Sequence, residues 1–222
     1  MRTAVLLLLA LLAANAEAQP VEGARATIKH VYNLTPPADA DALPVGALRR
    51  TEYETFGLDG RRLRVEWRDP DGGVTLAFME LYDDTDRPFG AVYFEGATLE
   101  PNLERIEYLA GTSAGTTVKR VTYSGADGEV TSINEFVLDA DGRELERRYG
   151  NADGVVRATD TVSYEGPNQT GYVYERADGS LRRSYVYRNE TVDERGHWTS
   201  RVVLRDGEPR LFETREILYL EE

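Results

Sequence analysis

Residues 174–187 read YERADGSLRRSYVY, an Asp-Gly step with tyrosines and charged residues placed symmetrically on either side of it. Asp-Gly between stretches of alternating apolar and polar residues favours a tight β-hairpin turn, because glycine adopts positive φ at no steric cost. A two-residue loop at this step predicts three facing pairs: Glu175 with Arg182, Tyr174 with Arg183, and Tyr172 with Tyr185. An ion pair, a cation–π pair and an aromatic pair each stabilise neighbouring strands. The stretch therefore predicts a hairpin.

The same dipeptide recurs along the chain, which extends the prediction from one hairpin to a series of them. Asp-Gly occurs at Asp59-Gly60, Asp71-Gly72, Asp127-Gly128, Asp141-Gly142, Asp153-Gly154, Asp178-Gly179 and Asp206-Gly207. The closest of these steps are separated by the length of one short strand and one turn. This rhythm indicates a serial antiparallel meander.

The same reasoning applies to two further Asp-Gly steps. A two-residue loop at Asp141-Gly142 predicts that Leu138 faces Leu145 and that Glu135 faces Arg148. Around Asp206-Gly207 the following Glu208-Pro209 favours a longer loop, so no register is predicted there.

Helical periodicity is almost absent after residue 50, whereas short runs rich in β-formers are frequent. The segment 33–50 is rich in Pro, Ala and Asp and is predicted to be an irregular connection, with a short helix within 38–50 as the alternative. We expect an all-β protein of serial antiparallel hairpins that form an extended, twisted or half-barrel repeat sheet. The length favours one domain over residues 19–222, although two small domains also fit it.

The first residues, MRTAVLLLLALLAANAEAQP, combine a positive start, an apolar run and a small-residue cleavage pattern. This is typical of a secretory signal peptide, predicted at residues 1–18. No later apolar run is long enough to predict a membrane-spanning helix. The chain contains no cysteine, so it folds without disulfides. We expect an exported protein, periplasmic or extracellular.

The formal net charge of −13 argues against a nucleic-acid partner, because phosphate binding requires clustered Lys and Arg. Acidic charge also keeps an exported protein soluble, and recognition of a basic partner or a cation is the alternative reading.

From Tyr123 onward the chain resembles the secreted YD-repeat proteins of bacteria, which are related in style to RHS repeat shells. The resemblance is carried by residues 149–154, YGNADG, by residues 174–187, and by the ending DERGHWTSRVVLRDGEPRLFETREILY. The chain departs from the family pattern at His197, where the family usually has Asn. The resemblance implies a repeat sheet in a protein of the bacterial cell envelope and brings no catalytic residues with it.

Enzyme chemistry has little support. Gly111-Thr112-Ser113-Ala114-Gly115 matches G-x-S-x-G, but a nucleophile elbow requires a strand-to-helix turn, and a second strand is predicted here instead. Only two histidines are present, and the acidic turns lack the spacing of a calcium loop. We predict a protein that is not an enzyme, with no catalytic residue, no metal site and no cofactor.

Aromatic residues are the strongest candidates for a binding site, because flat rings can stack on sugar rings. The alternative is that the tyrosines only cover one face of the sheet. The candidate platform comprises Tyr172, Tyr174, Tyr185, Tyr187 and Trp198.

These observations lead to a first hypothesis of a non-enzymatic scaffold or interaction protein of the cell envelope. Its partner, an envelope protein, would add a strand to an exposed sheet edge. A carbohydrate- or cell-wall-binding module that uses the tyrosine face is the second hypothesis. The third is an open half barrel that carries a lipid.

Overall fold

The computed structural model describes residues 24–34, 45–57, 61–85, 87–95, 101–166 and 168–219. The predicted signal peptide, Asp59-Gly60 and residues 35–44 lie outside these ranges. The strands, in chain order, are β1 (Ala24–Leu34), β2 (Val45–Phe56), β3 (Arg62–Arg68), β4 (Val74–Tyr82), β5 (Pro88–Glu95), β6 (Pro101–Ala110), β7 (Thr117–Ser124), β8 (Val130–Leu138), β9 (Glu144–Gly150), β10 (Val156–Glu165), β11 (Asn168–Arg176), β12 (Arg182–Val192), β13 (Trp198–Arg205) and β14 (Glu208–Tyr219).

The all-β meander is confirmed, but its shape differs from the expectation of an extended or half-barrel sheet. Each strand pairs with its chain neighbours, and β1 also pairs with β14, so the fourteen described strands form a closed antiparallel barrel. An open sheet would leave the backbone N–H and C=O groups of both edge strands without partners. Closure satisfies these groups, and the expectation of an open sheet was wrong.

The segment 33–50 is also more regular than expected. Asn33 and Leu34 complete β1, and β2 begins at Val45, so both ends of the predicted irregular connection are strand. Residues 45–50 are not helical, which excludes the helix alternative for that part of the segment.

A five-residue turn recurs between the strands. In Asp139–Arg143 one carboxylate oxygen of Asp139 accepts hydrogen bonds from the backbone N–H groups of Asp141 and Arg143, at 2.9 and 2.8 Å. Gly142 alone in this turn has a positive φ, 80°. The same side-chain pattern is made by Asp69, Asp83, Asn151 and Asp193.

The turn chemistry therefore differs from the predicted two-residue loops. At Asp178-Gly179 only the glycine has a positive φ. Asp206-Gly207, where a longer loop was expected, is the step at which both residues have positive φ, 55° and 84°, and it directly joins Arg205 to Glu208. Such a pair of positive φ angles matches the twist of a hairpin.

The predicted strand pairs are mostly confirmed. The three facing pairs around Asp178-Gly179 occur as expected, and Glu135 faces Arg148. Leu138 faces Glu144 and not Leu145, because the longer turn introduces a register shift at Leu138.

Alternation along the strands separates two sets of side chains. In one set Val31, Val121 and Arg147 are almost fully buried, at 0, 2 and 0% exposure, and we assign this set to the lumen. The other set contains exposed residues such as Met79 and Leu103 and forms the outer surface, although some members, Val202 among them, are buried as well. The main apolar cluster, Ile106, Val121, Tyr123, Phe136, Tyr149 and Ala158, belongs to the lumen set.

The geometry of the turn predicts that Asp139→Ala lowers the free energy of unfolding by about 1 kcal/mol, because two backbone donors lose their acceptor. Asp141→Ala is the matched control, since the Asp141 side chain is 77% exposed and accepts neither bond. Urea unfolding measures both variants. Equal losses in the two variants would contradict this account of the turn.

Candidate functional site

The lumen brings together the five aromatic residues of the predicted platform. Tyr172 and Tyr185 stack with ring centroids 4.4 Å apart and an interplanar angle of 11°. Tyr187 lies 6.3 Å from Tyr172, and Tyr174 is a neighbour of the main apolar cluster. The alternation places the four tyrosine rings on one face, which is the inside of the barrel, and Trp198 joins them through its contact with Arg201.

Two of the five rings are covered. The Arg201 guanidinium lies 4.0 Å from the ring centroids of both Tyr187 and Trp198, and both aromatic residues are buried. Arg201 itself donates to Glu213 at 2.6 and 2.7 Å. Tyr172, Tyr174 and Tyr185 are partly exposed and are the members of the platform that a ligand can reach.

A polar patch lies beside this aromatic surface on β8 to β11. Tyr149 donates its hydroxyl hydrogen to Asp160 at 2.6 Å, and Arg147 lies 3.6 Å from the same carboxylate. Arg147 also donates to Glu144 at 2.8 Å. Burial raises the pKa of Asp160 and raises the pKa of Tyr149 well above its ordinary value. Charged and hydroxyl groups are thus held together inside the barrel.

Several buried polar atoms of this patch have no hydrogen-bond partner. They are the Ser132 hydroxyl oxygen, the Asn134 and Gln169 amide nitrogens and one carboxylate oxygen of Asp160. The amide oxygen of Asn134 accepts a hydrogen bond from the Gly150 N–H, and the amide oxygen of Gln169 accepts one from Arg147. These bonds fix the orientation of each amide group and so identify its nitrogen. Leaving a buried polar group unpaired costs about 1–3 kcal/mol. These atoms mark the part of the lumen that gains most from a polar ligand.

A second group of ionisable residues lies on β3, β4 and β6. Arg62 binds Glu80 at 2.6 Å and lies 3.7 Å from Glu54. Glu104 faces the same lumen, and among the described residues it forms no ion pair within 4.0 Å. Burial raises the pKa of Glu104 to about 7, while Lys119 and Arg62 lower it. Glu104 is therefore close to half protonated near neutral pH.

Sequence reasoning did not identify Asn134, Arg147, Asp160, Gln169 or Glu104. The register of each hairpin contains a signal for them, because each occupies the same alternate set as buried apolar neighbours such as Val121 and Phe136. This signal is readable only when the buried face of each strand is known.

The serine of the G-x-S-x-G motif and the acidic turns, which are the other candidates from the sequence, are not part of this site. Residues Gly111–Thr116 form the hairpin loop between β6 and β7, in which the Ser113 carbonyl accepts from Thr116. The turn carboxylates of Asp69, Asp83 and Asp139 bind their own backbone. Across the described ranges, no group of three or more His, Cys, Asp or Glu side chains is arranged to hold a metal ion.

Comparison with known proteins gives a fold-level likeness only. No family model and no curated protein matches the chain. A porin-like protein from Bacteroides uniformis is similar in structure, with 12% identity, a TM-score of 0.46, and coverage of 86% of this chain and 96% of that one. A porin-like protein from Bacteroides vulgatus has 11% identity and a TM-score of 0.48, with coverage of 87 and 98%. In the part of the chain that the structure describes, no helix has the length and apolar character to cross a membrane.

The raised pKa of Glu104 predicts a pH dependence of stability. Between its ordinary value of 4.5 and about 7, the folded protein holds a proton that the unfolded chain releases, so stability falls as pH rises through this window. Glu104→Gln removes this contribution. We expect the loss of unfolding free energy between pH 5 and pH 8 to be about 2 kcal/mol smaller in the variant than in the wild type.

Chemical unfolding at a series of pH values measures this difference. Glu107→Gln, on the outer set of the same strand, is the control and should leave the wild-type pH profile unchanged. A Glu104→Gln profile parallel to that of the wild type would show that Glu104 is ionised in the folded barrel.

Proposed function

We propose that this protein is an exported, non-enzymatic barrel of the bacterial cell envelope that binds a polyhydroxylated ligand, such as a glycan segment, inside its lumen. The observation that carries the proposal is the position of the partly exposed Tyr172 and Tyr185 stack on the same inner wall as the unpaired polar atoms of Asn134, Asp160 and Gln169. The resemblance to secreted YD-repeat proteins supports the envelope assignment.

The chemistry of the patch fits sugar hydroxyl groups. A hydroxyl group both donates and accepts, so it can satisfy an amide N–H and a carboxylate oxygen at once. The unpaired donors are the amides of Asn134 and Gln169, and the unpaired acceptor is Asp160. These atoms are inaccessible to solvent in this conformation, so the proposed binding requires neighbouring side chains to rotate. Tyrosine rings supply the apolar surface that a sugar ring covers.

The outer surface supports placement in water. Arg120, Glu135 and Arg148 form a ladder of ion pairs on the outer set, near the middle of β7, β8 and β9, at 2.7 and 3.5 Å. An arginine at the middle of a bilayer costs about 2–4 kcal/mol on the lipid-facing side of a barrel. β3 and β9 have seven residues each, fewer than the roughly 9–11 of a membrane-spanning strand. We therefore propose a periplasmic or extracellular location.

The barrel changes how a partner would be recognised. A partner strand has no free sheet edge to pair with, because each described strand is paired on both sides. A lipid tail is also a poor occupant for this lumen, since Arg147, Asp160 and Glu213 are buried within it. The lumen itself therefore becomes the preferred site.

Binding to purified peptidoglycan sacculi and to soluble glucose and N-acetylglucosamine oligomers tests the proposal. We expect the wild type to bind at least one of these glycans. The double variant Tyr174→Ala, Tyr185→Ala should bind it about 5- to 100-fold more weakly, because two aromatic contacts of about 0.5–1.5 kcal/mol each are removed.

Tyr53→Ala is the matched control, since it removes a tyrosine ring from the outer set and should retain wild-type binding. Circular dichroism checks that all variants remain folded. Absence of binding by the wild type, or equal binding by the double variant, would refute the lumenal glycan site. A lipid in the native mass spectrum of the purified protein would favour the lipid-carrier alternative instead.

A further inference from the structure

One lumenal arginine differs from the others in its surroundings. Arg215 on β14 lies on the same wall as Lys29 of β1, its facing residue in the register. Its guanidinium carbon lies 4.1 Å from the ring centroid of Trp198, and its Nε donates to the Trp198 carbonyl at 3.1 Å. These contacts hold the guanidinium in one orientation.

The neighbouring cations each have a carboxylate partner. Arg201 binds Glu213 at 2.6 Å, and Lys29 binds Glu52 at 2.7 Å. Within the described residues, no carboxylate lies within 4.0 Å of Arg215. Glu54 and Asp193 attract it only from longer distances. Glu54 is engaged with Thr27 and Arg62, and Asp193 accepts a hydrogen bond from Tyr219.

The surroundings of Arg215 destabilise its positively charged form. Burial, and after it the positive charge of Arg201, lower the pKa of Arg215 to about 10, although Glu54, Tyr219 and Asp193 raise it. A buried charge without a counter-charge is costly, and a neutralising partner removes most of that cost. The side chain remains partly exposed within the barrel, so a small ligand has access to it.

We propose that Arg215 forms an oxyanion-binding site in the lumen, which takes the carboxylate or phosphate group of a ligand. Because Nε is occupied by the Trp198 carbonyl, the two terminal nitrogens face the ligand. Their planar geometry suits two parallel hydrogen bonds to a carboxylate or a phosphate. Trp198 is the positioning residue, because its ring and its carbonyl both contact the guanidinium. The site lies on β13, β14 and β1 and is independent of the glycan patch of β8 to β11.

Thermal unfolding and calorimetric titration of the mature protein test this site at constant ionic strength. The probes are inorganic phosphate and glucuronate, with glucose as the uncharged counterpart of glucuronate and chloride as the reference salt. We expect saturable binding of phosphate, glucuronate or both, together with a rise in the melting temperature. Glucose should have no effect through this site.

Arg215→Gln should weaken anion binding at least tenfold and should still fold, because it removes a partly buried charge that no carboxylate contacts directly. Arg215→Lys keeps the charge without the planar pair of donors and should bind more weakly than the wild type. Arg210→Gln is the control on the same strand, since Arg210 is exposed and paired with Glu208. It should bind like the wild type.

Saturation by phosphate alone would indicate a phosphorylated ligand, and saturation by glucuronate alone would indicate a carboxylate such as that of an acidic sugar. Both results support the site. No saturable anion binding by the wild type, or unchanged affinity in both Arg215 variants, would overturn it. Because the neutral glycans are tested separately with the tyrosine variants, failure here leaves the proposed glycan function standing.

Discussion

The pairing of β1 with β14 is the contact on which the rest of the structure depends. Each of the other strand pairs joins neighbours along the chain, so the same hairpins could also form in an open sheet. The pairing of Thr27 with Ile217 and of Val31 with Glu213 joins the two ends of the chain. This contact turns one face of every strand into a lumen and the other into an outer wall. The pairing of β1 with β14 therefore decides whether a residue lies in the lumen or on the outer surface.

Closure also explains why the chain tolerates so many charged residues on both faces. On the outer wall, arginine and glutamate lie in water and pair as ladders that contribute little to stability. In the lumen the same residue types are buried, and the structure gives most of them partners, as for Arg201 with Glu213 and Arg62 with Glu80. Replacing a buried pair of this kind by apolar residues is often neutral or stabilising, so the pair by itself is weak evidence of stability. Two kinds of lumenal group are therefore informative: polar atoms without a hydrogen-bond partner, such as the Asn134 amide nitrogen, and Arg215, which no carboxylate contacts directly.

Local features could be predicted from the sequence, because a hairpin is defined by a few neighbouring residues. The stacking of Tyr172 on Tyr185 and the pairing of Glu135 with Arg148 follow from the position of an Asp-Gly step. The register at Leu138 could not, since it depends on a carboxylate two residues before that step, which lengthens the turn. Barrel closure has no local signal, because the residues that form it lie at opposite ends of the chain. Asn134, Asp160 and Arg215 look like ordinary surface residues until closure places them inside, so the polar part of the candidate site could not be predicted either.

Cross-linking across the β1–β14 pair tests the closed barrel most directly. The chain contains no cysteine, so His30→Cys with Thr214→Cys introduces a unique pair of thiols at facing positions on the outer wall. The control, His30→Cys with Leu103→Cys, places equally outward thiols on β1 and β6, which are separated by several strands. A short thiol–thiol cross-linker, with the product read by mass spectrometry of the monomer, should bridge the first pair rapidly and leave the second unbridged. No more intramolecular product in the first pair than in the control would mean that β1 and β14 are free edges, and the assignment of a lumen would be wrong.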